Sequence, residues 1–251
     1  MHGGRPATVA PQLTSGVTHI VTGGRAFAAV KRDGNVVTWG GGFFRDPGLT
    51  VELTDGLRIR DAVGNDLQFA AILSDGSVLV WGNTVRRIRA DFVDIFHTDT
   101  AFAAVQRDGS VMTGGHRDYG GNSSGVREQL DGRRGAHVTD IYSTNSAFAA
   151  LRENGSVVTW GNDEDGGNSD RVQDQLANGV RYIVATGGAF AAVKIDGSVV
   201  TWGNAMCGGM VSEVTARVLR EGLIQIVGGP RASCFAASVR VNGNPRIIHW
   251  P

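Results

Sequence analysis

One short phrase recurs along the chain and limits it to a repeat architecture. Residues 26–40 read AFAAVKRDGNVVTWG, residues 147–161 read AFAALRENGSVVTWG and residues 189–203 read AFAAVKIDGSVVTWG. Looser copies lie at 68–82 and 101–115, and a last one at 234–250 carries an insertion near Asn244-Pro245. The anchoring phenylalanines are Phe27, Phe69, Phe102, Phe148, Phe190 and Phe235, at spacings of 42, 33, 46, 42 and 45 residues. A period of roughly 40 residues belongs to the blades of a β-propeller.

Each copy places Asp-Gly or Asn-Gly between a Phe-Ala-Ala run and a Val-Val-Thr-Trp run, a hairpin signal for which a type I′ turn is expected. A strand such as 179–184 precedes the hairpin, and a weaker one such as 171–176 precedes that, giving four strands per blade. Small and large apolar residues alternate as they would in strands buried on both faces, so Trp39, Trp81, Trp160, Trp202 and Trp250 are expected in the core. Gly114 stands where the third copy should have its tryptophan, which predicts a less well packed blade. No helix is expected.

Residues 9–13 followed by Gly16-Val17 repeat the pattern of residues 172–176 followed by Gly179-Val180. An N-terminal outer strand that completes the last blade would close the ring and leave no unpaired edge between the ends. The expectation is an all-β chain forming a single closed β-propeller over residues 1–251, with six four-stranded blades or, if a loop conceals another, seven.

The succession Gly-Val-x-x-Ile, Phe-Ala-Ala, Asp-Gly-Ser-Val and Trp-Gly across residues 9–250 resembles the regulator of chromosome condensation (RCC1-like) repeat family. The resemblance implies a propeller. Members of that family serve as exchange factors for a small GTPase, as modules in ubiquitin ligases, as an ultraviolet-B photoreceptor and as secreted inhibitors of β-lactamases. The fold carries over better than any one function. In place of the family's Gly-Gln-Leu-Gly tail this chain has Gly120-Gly121-Asn122-Ser123-Ser124 and Gly166-Gly167-Asn168-Ser169-Asp170.

Charge and motifs narrow the function. With 24 Lys and Arg against 24 Asp and Glu, no net field draws nucleic acid or an anionic membrane. No run approaches the ~18 apolar residues of a membrane span, and the start has no signal-peptide pattern. A leader already removed would read the same, so the compartment stays open. Cys207 and Cys234 lack CxxC spacing, the six histidines form no HExxH motif, and neither a nucleophile elbow nor a P-loop occurs. The acidic run Asp163-Glu164-Asp165 lacks the spacing of a calcium loop and reads as a solvated turn. Asp66 and Asp99 are the only carboxylates expected near the inner channel. No cofactor or metal is expected.

Strand parity puts the Asp-Gly turns on one face and the loops after Trp-Gly on the other, together with those before Phe-Ala-Ala. Only the second face varies in chemistry, and variable loops on a rigid scaffold are where binding resides. Aromatic and arginine side chains anchor interfaces, which points to Phe43, Phe44, Arg45, Arg86, His116, Arg117 and Tyr119 as the partner site. The chain therefore reads as a monomeric, non-catalytic scaffold for a protein partner. A small-GTPase exchange factor and a secreted propeller-type enzyme inhibitor are the alternatives.

Overall fold

The computed structural model describes residues 9–41, 50–54, 56–82, 84–229 and 232–251, in two compact units, Met1–Arg107 and Asp108–Pro251. In the first unit, β1 (Val17–Thr22), β2 (Ala26–Lys31), β3 (Val36–Gly40) and β4 (Thr50–Val51) form one antiparallel sheet. Strands β5 (Ile59–Gly64), β6 (Phe69–Leu73), β7 (Val78–Trp81) and β8 (Val85–Ile88) form a second, and β9 (Phe92–His97) pairs with β10 (Ala101–Gln106).

The second unit begins with β11 (Val111–Gly115) and continues in three sheets of three strands. These are β12 (Val138–Ser143), β13 (Ala147–Arg152) and β14 (Val157–Gly161); then β15 (Val180–Ala185), β16 (Ala189–Lys194) and β17 (Val199–Gly203); then β18 (Leu223–Val227), β19 (Phe235–Val241) and β20 (Asn244–Trp250). Two helices, α1 (Gln173–Leu176) and α2 (Glu213–Gly222), interrupt the strands.

Strands β6 and β16 are buried on both faces because each is sandwiched between neighbouring sheets of its own unit. Ala147, Ala149 and Leu151 of β13 share a core with Phe190, Ala192 and Trp202 of the next repeat. The opposite face of β16, Ala189, Ala191 and Val193, packs on Phe235, Ala237, Val239 and Trp250. Period-two alternation thus sends small residues to one neighbour and Phe plus Trp to the other. The Phe and Trp of one hairpin stack directly, with ring centroids 5.2 Å apart for Phe190 and Trp202 and 5.5 Å for Phe69 and Trp81. Trp81, Trp160, Trp202 and Trp250 are buried and Trp39 is partly so. β11, which lacks the tryptophan, is the exposed version: Met112 is 40% exposed and a Cβ on Gly114 would meet nothing within 4 Å.

Four expectations need correction. Only Asn242-Gly243 has positive φ at both central positions, and there Val241 pairs directly with Asn244. The extra length of the last copy is thus taken up in longer strands around a tight type I′ turn. In the other five turns glycine alone is left-handed, as in a type I turn with a bulge. The preceding Asp or Asn side chain favours this form by accepting the N–H two residues on, as Asp75 does from Ser77 at 3.1 Å and Asp196 from Ser198 at 2.9 Å.

The fourth strand is the second correction. Among the described residues it is present only in the first two repeats, where it follows Trp-Gly. Thirdly, residues 9–13 do not supply an outer strand, because Ala10–Leu13 is a 3-10 turn started by a proline. Residues 171–176 match them in sequence and are likewise helical, in Asp170–Val172 and α1. Finally, α2 overturns the expectation of no helix. Ser212 caps it by accepting the Thr215 N–H at 3.2 Å, and Gly222 ends it.

Candidate functional site

Strand parity places the loops as expected within each unit. The residue after the Phe-Ala-Ala strand bonds back to the entry of the inner strand, as Glu153 N–H does to the His137 carbonyl at 2.9 Å and Ile195 N–H to the Gly179 carbonyl at 2.9 Å. At the opposite end, the residue after Trp-Gly bonds to the loop before Phe-Ala-Ala, as Asn162 N–H does to Ser146 at 3.0 Å and Asn204 N–H to Gly188 at 2.9 Å.

The loops after Trp-Gly in the second unit share one construction. Each has four residues between the Trp-Gly glycine (Gly115 in the third repeat) and a Gly-Gly pair: His116–Tyr119, Asn162–Asp165 and Asn204–Cys207. The first glycine of the pair is left-handed, with φ of 95° at Gly120, 98° at Gly166 and 97° at Gly208. It lies flat on the next repeat's phenylalanine, where a Cβ would come within 2.5 Å of Phe148, 2.6 Å of Phe190 and 2.4 Å of Phe235. The carbonyls of Gly120 and Gly166 accept the next repeat's indole N–H, from Trp160 at 3.0 Å and Trp202 at 3.1 Å. Each loop therefore clips one sheet to the next. The glycine pairs were visible in the sequence at fixed distance from Trp-Gly, and that regularity was the signal for this role.

On this clip the four intervening residues are held in fixed turns. Tyr119 and Gly121 N–H both bond the His116 carbonyl, at 3.2 and 2.9 Å. The His116 and Tyr119 rings meet edge to face with centroids 4.9 Å apart. Arg117 is exposed beside them and Tyr119 is 38% exposed. Of the sequence-predicted residues, His116, Arg117 and Tyr119 are thus brought together. Arg86 lies elsewhere in the chain, exposed on β8 opposite Val80, so it is a strand residue and not a loop residue as expected. Phe43, Phe44 and Arg45 lie outside the described residues.

The acidic run is built into its turn. The Asn162 side chain accepts N–H from Glu164 at 3.0 Å and Asp165 at 3.2 Å, and the Ser146 hydroxyl donates to the Asp165 carboxylate. Among the described residues no three His, Cys, Asp or Glu side chains are grouped as a metal site needs. Asp66 and Asp99 do meet, through the main chain: Asp66 N–H donates to the Asp99 carbonyl at 2.8 Å. The same link recurs from Asn145 to Gly187 at 2.9 Å and from Gly187 to Ala232 at 3.0 Å, so this position joins successive repeats.

A cleft of about 950 Å³ opens in the second unit along β17. Its floor is Val199–Gly203, and its sides are the segment from Asp163 to Gln175 and the α2 face bearing Ala216 and Arg220. Sequence reasoning missed this cleft because it expected a fourth strand in its place.

No family model matches the chain, and no curated protein matches it in sequence. Solved structures do. Human WBSCR16 superposes with a TM-score of 0.56 at 13% identity, covering 90% of this chain and 74% of that one. Prp20p from Saccharomyces cerevisiae gives 0.54 at 16% identity over 93% and 72%. The CRINKLY WD40 ectodomain of the Arabidopsis thaliana receptor kinase ACR4 gives 0.54 at 13% identity over 93% and 79%. One of these neighbours, Prp20, is yeast RCC1, and the fold of this chain is an RCC1-like β-propeller fold.

Proposed function

We propose that the chain is a protein-binding scaffold, its six repeats forming the blades of one propeller and its partner engaging the loops after Trp-Gly. The observation that carries this reading is the His116–Tyr119 turn. Gly120 and Gly121 fix its C-terminal end and Gly121 N–H closes it on the His116 carbonyl, while an aromatic pair and an arginine stand exposed on it. A preorganised anchor loses little entropy on binding, which is what an interface hot spot requires. Arg86 is the exposed candidate of the first unit, and Phe43, Phe44 and Arg45 belong to the proposal on sequence grounds. Similar folds in protein complexes support the reading, among them yeast RCC1 bound to Kap60. No described helix is long and apolar enough to cross a membrane.

The test is affinity capture from source cells with the wild-type chain and an Arg117→Ala/Tyr119→Ala variant of equal melting temperature. A partner captured by the first and lost by the second is expected; identical captured sets would refute the site. Nucleotide exchange on a small GTPase is the second reading, favoured by the likeness to Prp20p, described by its binding to Gsp1p and histones. Catalytic acceleration of nucleotide release by substoichiometric protein would establish it in place of a passive scaffold.

A further inference from the structure

The outer edge of β17 is an unfilled strand position, and the chain itself shows what fills it elsewhere. β7 and β17 are the same strand of the repeat, with Trp81 and Trp202 at the same place. On β7 that edge is covered by β8, in antiparallel register Val78 to Ile88, Leu79 to Arg87, Val80 to Arg86 and Trp81 to Val85. On β3 it is covered by β4, through Val36 to Val51 and Val37 to Thr50. Among the described residues no strand pairs with β17 on that side; the cleft lies there instead.

Two features of β17 point outward to a ligand. Lys194 N–H bonds the Ser198 carbonyl and Asn204 N–H bonds the Gly188 carbonyl, so antiparallel alternation turns the main-chain groups of Val199 and Thr201 away from β16 and towards the cleft. These are the positions that Val78 and Val80 use to hold β8. Thr201 itself also lines the cleft. Its counterparts Thr113 and Thr159 bond Ser123 at 3.0 Å and Ser169 at 2.9 Å. Val211 stands where that serine would be, so Thr201, only 9% exposed, has no such partner.

The charge at the end of the strand specifies the occupant further. In the second repeat Asp75 and Ser77 grip an arginine of the fourth strand: Arg87 donates to the Ser77 hydroxyl at 2.8 Å and to the Asp75 carboxylate. In the fifth repeat Asp196 and Ser198 form the same pair, 2.6 Å apart; the charges of Lys194 and Arg220 reach Asp196, but among the described residues no cation lies within ion-pair distance of it. Asp163, Glu164 and Asp170 border the cleft against Arg171 and Arg220, so the walls carry no cationic excess to repel a basic strand.

We propose that this cleft binds an extended, arginine-containing peptide of a partner protein, which pairs with β17 as its fourth strand. An apolar residue sits opposite Val199 and an arginine opposite Val200, its guanidinium on Asp196 and Ser198. β-strand addition of this kind takes affinity from main-chain hydrogen bonds and specificity from alternate side chains. The inference does not rest on the Tyr119 loop.

The probe is a fluorescent peptide with the sequence of residues 84–90, Thr-Val-Arg-Arg-Ile-Arg-Ala, titrated into the full chain by anisotropy. Half-saturation below about 1 mM is expected. N-methylation at the positions matching Arg86 and Ile88 should weaken binding about tenfold, and Ala216→Trp, which fills the cleft from α2, should do the same. Asp196→Asn, on an exposed turn, should cost about threefold and nothing for a peptide with alanine at the Arg87 position; it decides the matter if Ala216→Trp does not fold. The Arg117→Ala/Tyr119→Ala variant should bind the peptide as wild type does. Absence of saturable binding would overturn the proposal, as would binding indifferent to N-methylation and to both cleft substitutions, or binding lost in the loop variant.

Discussion

Replacing Gly166 with alanine tests whether the Gly-Gly clip holds neighbouring sheets together. The residue has φ of 98°, and its Cβ would fall 2.6 Å from Phe190 Cδ2, 2.9 Å from Cε2 and 3.5 Å from Trp202 Cδ1. Left-handed backbone costs an L-residue about 1–2 kcal/mol, and forcing an extra methyl into a packed core costs about 1–3 kcal/mol more. The ring cannot yield easily, because Phe190 is fully buried and stacked on Trp202. A loss of about 3 kcal/mol is therefore expected, or a fall in melting temperature of roughly 6–12 °C for a domain of this size. Urea and thermal unfolding measure it. Gly125→Ala is the control, since its Cβ would touch nothing within 4 Å and its φ is not left-handed; it should stay within about 0.5 kcal/mol of wild type. A Gly166→Ala protein as stable as the control would refute the clip.

Three further outcomes are expected. Trp202→Phe keeps the stack but strands the Gly166 carbonyl, whereas the Trp250 indole N–H has no partner among the described residues; Trp202→Phe should thus destabilise by about 1 kcal/mol more than Trp250→Phe in urea unfolding. The carboxyls of Asp75, Asp108 and Asp196 are held below the ordinary aspartate value of 3.8, chiefly by the hydroxyls of Ser77, Ser110 and Ser198. A lowered folded value means that their stabilisation is complete above 3.8 and lost as pH falls through it. The acid side of the stability–pH profile should therefore flatten in the Ser77→Ala/Ser110→Ala/Ser198→Ala variant. Burial first, then the Asp140 charge, pushes the Tyr142 phenol up from 10.0 to about 12, so its ultraviolet titration should lag that of free tyrosine, and its contribution to stability should fade as pH rises from 10 towards that value.

What the sequence made legible follows from which residues packing constrains. Phe-Ala-Ala and Val-Val-Thr-Trp strands are fixed by two buried faces, so they recur and could be placed. The turns were located correctly but typed wrongly, because the Asp side chain competes for its own backbone and holds itself out of the left-handed region everywhere except at Asn242. The segments at 9–13 and 171–176 were misread for a geometric reason. Val9 and Leu13, or Val172 and Leu176, are four apart, and that spacing brings two side chains to one face of a strand and of a helix alike. Pro11 in the first case decides for the helical turn. In α2, Ser212 three residues before Thr215, Glu213 in the first turn and Gly222 at the end were readable start and stop signals. Of the candidate site, the His116–Tyr119 pairing was reachable from the loop's position, whereas the cleft on β17 depends on a strand that is missing, which no motif can display.

The loop after Trp-Gly joins these two levels. Its fixed members, the Trp-Gly glycine and the Gly-Gly pair, are dictated by close approach to a neighbouring backbone and ring, and hardly any side chain could replace them. Its four middle residues read His-Arg-Asp-Tyr, Asn-Asp-Glu-Asp and Asn-Ala-Met-Cys in successive copies; the second and third are exposed in all three, whereas Asn162 and Asn204 cap their turns, Asp165 is held by the Ser146 hydroxyl and Cys207 packs on the core. The same span therefore clips the scaffold with its ends and is free to vary at the two exposed positions between them, so the chemistry displayed there is separable from the clip. The segment that follows each of these three loops turns helical instead of adding a strand and buries one leucine, Leu130, Leu176 or Leu219. One buried leucine at the strand's far end satisfies packing without covering the whole edge. Where a serine also bridges to the strand's threonine, as in the third and fourth repeats, the edge is tied down; in the fifth, Val211 leaves it open, and this difference of one side chain separates a structural edge from a receptive one.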